Sequence, residues 1–236
     1  MTITDTRTAI IPTVTWSEFQ RTFRWRQGEH LTAIAPTGAG KTTLFKELTP
    51  LRKYNLFFGT KVHDRTYNEL MRKGFARVQS IDDVRNWDNQ VMLWPKPGKT
   101  ITETIYKQRN TFLKAMDVIA RQGGWTLWVD EAKYLSEFLK LRTELTFALE
   151  QLRSLDSTVV TGAQRPSFIP PSVLSNSTHV FLWKTTYDDD AKRLADIGGI
   201  DAKLVAQTAK TLNDHEFLYI RARGTNSKIV RSQVGR

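Results

Sequence analysis

The sequence predicts a three-layer α/β fold with a mainly parallel central sheet, on three observations. Short apolar runs rich in β-branched and aromatic residues alternate along the chain with longer amphipathic segments. Several of these runs lack polar alternation, as expected of strands covered on both faces. A glycine-rich turn, TGAG (37–40), directly follows one such run and precedes a helical pattern, the strand–turn–helix order of open α/β sheets.

In chain order, residues 1–15 read as an irregular N-terminal arm and 16–236 as one domain. The strand candidates are 30–35, 55–60, 75–78, 91–94, 126–131, 158–163 and 179–184. Helical patterns fall between them at 41–49, 64–73, 101–122, 132–153 and 188–210. The last is divided at Gly198-Gly199, with Asp188 and Asp201 as N-caps of the two parts. The segment 216–234 reads as a C-terminal β-hairpin turning at Gly224-Thr225-Asn226. A chain of 236 residues, 40% hydrophobic, holds one substantial core and is short for two full domains.

Composition narrows the partners. Lys and Arg number 35 against 24 Asp and Glu, a formal +11, which favours a polyanionic partner and nucleic acid first. With no cysteine, disulfides and thiolate metal sites are excluded, and a cytoplasmic location fits. The opening MTITDTRTAIIPTVTW lacks the layout of a secretory signal, and no run is apolar enough to span a membrane.

Residues 35–42, APTGAGKT, match the phosphate-loop pattern at Gly40, Lys41 and Thr42, with Ala35 in place of its first glycine. Such a loop aims backbone N–H groups at phosphates from a helix N-terminus. Pro36, Thr37, Gly38, Ala39, Gly40, Lys41, Thr42 and Thr43 are therefore the expected nucleotide-binding residues. Lys41 would reach the β- and γ-phosphates and the Thr42 hydroxyl would ligate Mg2+, with ATP as the nucleotide. Nothing in the sequence separates adenine from guanine.

WTLWVDEA (125–132) is an apolar strand ending in two carboxylates. Asp130 suits Mg2+ and Glu131 suits a general base that polarises the attacking water; both jobs need the carboxyl end of a strand neighbouring the phosphate-loop strand. The competing reading is an acid pair opening helix 132–153. TVVTGAQRP (158–166) also ends in polar residues, which puts Gln164 at a strand tip able to orient water or sense the γ-phosphate.

Taken together, GEHLTAIAPTGAGKTTL (28–44), WVDEA (128–132), LRSLDSTVVTGAQRP (152–166) and THVFLWKTT (178–186) resemble the HerA–FtsK superfamily of DNA pumps. TGAQRP is similar to that superfamily's ATQRP strand end, with Gly-Ala for Ala-Thr. The resemblance runs from about Gly28 to the C-terminus, although only these pieces are specific. It implies a RecA-like P-loop NTPase of the additional-strand, catalytic-glutamate type, with the Asp130 and Gln164 strands adjacent and parallel. It also implies a homo-oligomeric ring, pentameric or hexameric, in which an arginine of one subunit completes its neighbour's site. Arg153 matches that position, with Arg142 and Arg165 as rivals; a helix-end cation facing the macrodipole is the alternative for Arg153. The size resembles phage-encoded translocases acting in the host cytoplasm on double-stranded DNA, docked on a portal or another protein.

A motor needs sequence-tolerant contacts to the DNA backbone. The loop WPKPGK (94–99) offers Lys96 and Lys99; further basic candidates are Arg72, Lys73, Lys107, Arg109, Lys140 and Arg142. Arg221, Arg223, Lys228 and Arg231 would suit a subunit interface. His30, His63, His179 and His215 show no metal-ligand spacing. Asp188-Asp189-Asp190 reads as a helix start, and Trp25 is a candidate to flank the base. The expected function is an ATP-hydrolysing DNA motor. The alternative is a nucleotide-gated DNA-binding or assembly protein with slow turnover, against which Glu131 argues. A small-molecule kinase is weaker, because no lid signature is present.

Overall fold

The computed structural model describes residues 11–85, 88–197, 201–223 and 228–234. Its centre is a sheet in the order β3-β4-β2-β5-β6-β1-β7-β8-β9. The strands are β1 (Leu31–Ile34), β2 (Asn55–Phe58), β3 (Ala76–Val78), β4 (Gln90–Leu93), β5 (Thr126–Val129), β6 (Thr158–Ala163), β7 (His179–Trp183), β8 (Glu216–Arg221) and β9 (Lys228–Gln233). All pairings among β1 to β7 are parallel; β8 and β9 add antiparallel to β7 as the expected hairpin. The expected turn at Gly224-Thr225-Asn226 and the break at Gly198-Gly199 lie outside the described residues.

Alternation of side chains builds two cores on opposite faces of the sheet. Leu56, Phe58, Leu127 and Val129 meet α4 (Ile101–Gln122) and α5 (Arg142–Gln151) on one face. Phe57, Trp128, Leu31 and Ala33 meet α1 (Trp16–Thr22), α2 (Lys41–Leu48) and α3 (Arg65–Arg72) on the other. Phe57 and Trp128, cross-strand partners on β2 and β5, stack at 4.8 Å.

Four local outcomes differ from expectation. The stretch 132–153 is not one helix: a π-helical turn at Tyr134–Phe138 is followed by a break, with Lys140 at φ 55, before α5 begins. The spacing of apolar residues explains the break. Leu139 and Leu141, two residues apart, would face opposite sides of one helix, yet both are fully buried. Arg109 compensates for the interruption by donating from Nη1 to the Leu139 and Lys140 carbonyls, at 2.5 and 2.7 Å. Asp201 caps α8 (Ala202–Lys210) as expected, whereas Asp188 is itself the first residue of α7 (Asp188–Leu194). Finally, α1 and α6 (Pro171–Asn176) were not expected. Of the expected irregular arm, residues 1–10 lie outside the described residues; within the remainder, Thr13 bridges Arg231 of β9.

Candidate nucleotide site

Every parallel strand ends at the same edge of the sheet, and the polar strand tips gather there. Between β1 and α2 the loop passes through Gly38 at φ 82 and Gly40 at φ 115, left-handed conformations that favour glycine. Ala35 is fully buried at the end of β1, its N–H bonded to the Ala163 carbonyl at 3.0 Å, so a methyl is accommodated where the pattern asks for glycine. The loop delivers Lys41 as the first residue of α2.

A cavity of about 280 Å³ opens over this loop. Pro36, Thr37, Gly38, Gly40, Lys41, Thr42 and Thr43 line it from the loop side, and Asp130, Glu131 and Gln164 from the tips of β5 and β6. Ala39 lines the adjoining cavity instead. Separate stretches of sequence therefore converge on one space. One expectation needs correction: the carboxylate strand β5 does not adjoin β1, because β6 lies between them. The reach is preserved because Gln164, on the intervening strand, leaves the sheet at the same edge.

Lys41 is nearly buried, with Nζ 2.9 Å from Asp130 Oδ1 and donating to the Asp130 carbonyl at 3.1 Å. Asp130 Oδ1 is buried and, despite this ion contact, accepts no well-directed hydrogen bond. An acceptor left open in this way, in a cavity that Thr42 also lines, suits a hard cation. Among the described residues no cluster of three or more His, Cys, Asp or Glu exists, as is common for Mg2+, which takes one or two protein oxygens plus phosphates and water. Thr42 and Asp130 would hold it, and it would neutralise phosphate charge.

Lys61, which sequence reasoning missed, also lines the cavity. Its Nζ lies 2.9 Å from Asp64 Oδ2 and 4.0 Å from Glu131 Oε1. Burial opposes its charge, but the Asp64 carboxylate outweighs burial and raises the Lys61 pKa. Asp64 is held low, against the effect of burial, by Lys61 and by the Thr66 N–H that it caps.

The second cavity, about 530 Å³, adjoins the first through Pro36–Gly38 and Gln164 and is walled by Trp183, Thr185, Tyr187 and His215. Asp190, fully buried, accepts from Thr185 Oγ1 at 2.7 Å, Ser167 N at 3.2 Å and Arg165 Nε at 3.4 Å. Arg165 also lies 3.7 Å over the Tyr187 ring. The Asp188–Asp190 run is thus more than a helix start: its last member anchors this wall.

Other candidates lie elsewhere. Arg153 is exposed in a 3-10 turn (Leu152–Leu155) before β6, at the sheet edge opposite Gln164 and so roughly 20 Å away, the length of the strand. Trp25 precedes β1 at that far edge, where Arg52 stacks on it at 3.7 Å, and it lines neither cavity. Lys96 and Lys99 are exposed in the loop after β4, on the same edge as the phosphate loop. Lys107 pairs with Glu103 and Arg221 with Glu29, which accounts for both in structural terms. Among the described residues no helix is long and apolar enough to cross a membrane.

No protein-family model matches the chain, and no curated protein sequence does. Solved structures do. B204, the DNA-packaging ATPase from Sulfolobus turreted icosahedral virus, superposes with a TM-score of 0.63 at 19% identity, over 87% of this chain and 98% of that one. The genome-packaging NTPase B204 from Sulfolobus turreted icosahedral virus 2, in complex with ATP-gammaS, gives 0.58 at 16% identity, over 86% and 96%. VirB4 of Thermoanaerobacter pseudethanolicus gives 0.62 at 11% identity, over 88% and 89%. At such identities the likeness is one of fold. The chain has the fold of the P-loop packaging ATPases, in keeping with the HerA–FtsK resemblance of its motifs.

Proposed function

We propose that the protein is an ATP-hydrolysing ring motor that translocates or packages double-stranded DNA. The observation that carries the reading is the single cavity where Lys41, Thr42, Asp130, Glu131 and Gln164 meet. Lys41 and the loop N–H groups bind the phosphates; Glu131 accepts the proton of the attacking water; Gln164 orients that water. The larger cavity receives the nucleoside, beside Tyr187.

Arg153 is proposed as the arginine acting in trans. Its place at the far edge removes it from its own cavity but exposes it to a neighbour in a ring. Arg165 is the weaker rival, being engaged by Asp190 within its own chain. Lys96 and Lys99 would touch the DNA backbone, drawing on the same positive balance of charge. Action in the host cytoplasm, a phage origin and a portal-like docking partner belong to the same proposal and rest on the motif resemblance.

The test is steady-state ATP hydrolysis with and without long double-stranded DNA. Wild type should turn over with Mg2+ and rise with DNA, less so in high salt. Glu131→Gln should bind ATP yet hardly turn over, whereas Lys41→Ala should lose nucleotide affinity. Normal turnover in Glu131→Gln would remove the base from this scheme. Hydrolysis indifferent to DNA would favour an assembly switch over a motor.

A further inference from the structure

Lys61 stands where a cation beside the catalytic base would be placed. It follows β2, which pairs directly with β5, so its loop leaves the sheet next to Glu131. Its backbone is fixed by buried neighbours. The Trp94 indole N–H donates to the Lys61 carbonyl at 2.7 Å, and Gln108 Nε2 donates to the Thr60 carbonyl at 2.9 Å. Gly59 makes this possible, since a Cβ there would lie 2.7 Å from the Trp94 ring. The Lys61 side chain is 44% exposed, so these contacts fix its backbone at the wall of the cavity and leave the ammonium group accessible.

An ammonium group has three N–H donors. Asp64 takes one at 2.9 Å, while Glu131 at 4.0 Å makes an ion contact too long for a hydrogen bond. The remaining donors are open to water or to a ligand in the cavity that Lys61 lines. Lys41 and Thr42 mark the β- and γ-phosphate end from the loop side, and Glu131 must stand beside the phosphorus that water attacks. A cation next to Glu131 is next to the γ-phosphate.

We propose that Lys61 contacts the terminal phosphate of a bound nucleoside triphosphate, exchanging its contact with Glu131 for one with a γ-phosphate oxygen. Glu131 is thereby freed for the attacking water only when a third phosphate is present. This rests on reading the cavity as a nucleoside-triphosphate site. The competing account is structural: Lys61 only orients Asp64, which caps α3 through Thr66 N and Tyr67 N.

The two accounts separate in binding measurements on the full chain with Mg2+, using ADP and the non-hydrolysable analogue AMPPCP. Lys61→Met should weaken AMPPCP roughly tenfold or more, the effect of losing one hydrogen bond between charged groups, with ADP affinity nearly unchanged. Its kcat should fall as well, and Lys61→Arg should restore part of the preference for the triphosphate. Equal weakening of both ligands, or of neither, would overturn the proposal. The binding arm stands even if wild type hydrolyses nothing, an outcome that would refute the hydrolytic reading alone. Loss of all nucleotide binding in wild type would refute both.

Discussion

His30 should make folding stability fall as pH drops from about 6.5 to about 4. It opens the approach to β1, is 2% exposed, and has both ring nitrogens in use. Val159 N–H donates to Nδ1 at 3.0 Å, so Nδ1 is the acceptor and the proton sits on Nε2, which donates to the Leu149 carbonyl at 2.8 Å. A second proton on Nδ1 would face the Val159 N–H, donor against donor. Burial, with Arg153 and Arg223 nearby, pushes the pKa down to about 4 from an ordinary 6.5. Because the folded value is the lower one, the stabilisation is complete above the unfolded pKa and is lost as pH falls through the folded pKa. At ~1.36 kcal/mol per pKa unit the gap amounts to about 3 kcal/mol, a large share of a typical domain's stability. The assay is urea unfolding of wild type and His30→Gln at fixed pH values from 8 to 4. Groups that titrate in both proteins cancel in the difference, including His179, lowered chiefly by burial, and Glu29, held near 2. Wild type should lose its advantage over the variant by about 3 kcal/mol across that window. Two curves that run parallel from pH 7 to 4 would refute the assignment of a buried neutral imidazole.

Two further outcomes follow from the ion pairs and from the placement of Arg153. Asp130→Asn should abolish hydrolysis yet bind ATP without metal a few-fold more tightly than wild type, because Lys41 is no longer tied to a carboxylate at 2.9 Å. Calorimetry in EDTA checks this, and unchanged metal-free affinity would show that the pair does not compete with nucleotide. Arg153→Ala should be inactive alone, while mixed assemblies with Glu131→Gln subunits should recover turnover at composite sites. Mixing experiments that never exceed the sum of the parts would sink the trans assignment.

The parallel core was legible because its signals are local. Phe57 and Trp128 lie in uninterrupted apolar runs, and the phosphate loop carries its own pattern in consecutive residues. The missed α1 was legible too: Thr15 and Glu18 form a capping box in the structure, and the T-x-x-E spacing stands in the sequence. The break at Lys140 was harder, since it shows only in the joint burial of Leu139 and Leu141. Lys61 could not have been placed from sequence. KVHD (61–64) follows a strand just as Asp130-Glu131 and Gln164 do, but its meaning depends on β2 lying against β5, and strand order is decided by packing over long sequence separations.

The charges of the site pair off without a ligand. Lys41 is matched by Asp130, and Lys61 by Asp64 with Glu131 close by. On the proposed reading a triphosphate competes for both lysines, and each release has a chemical consequence: the Asp130 carboxylate loses its cationic partner and is left for a metal ion, and Glu131 is freed to take a proton. A diphosphate that engages Lys41 without reaching Lys61 would free the first carboxylate and leave the second held. On this reasoning the chain separates binding from turnover by geometry alone, since the two lysines approach from different strands, one on each side of β5 and β6. The same separation gives the loop at Lys96 and Lys99 a short route to the chemistry. That loop begins at Trp94, whose indole N–H donates to the Lys61 carbonyl at 2.7 Å, so one hydrogen bond joins it directly to the loop that carries the lysine beside Glu131.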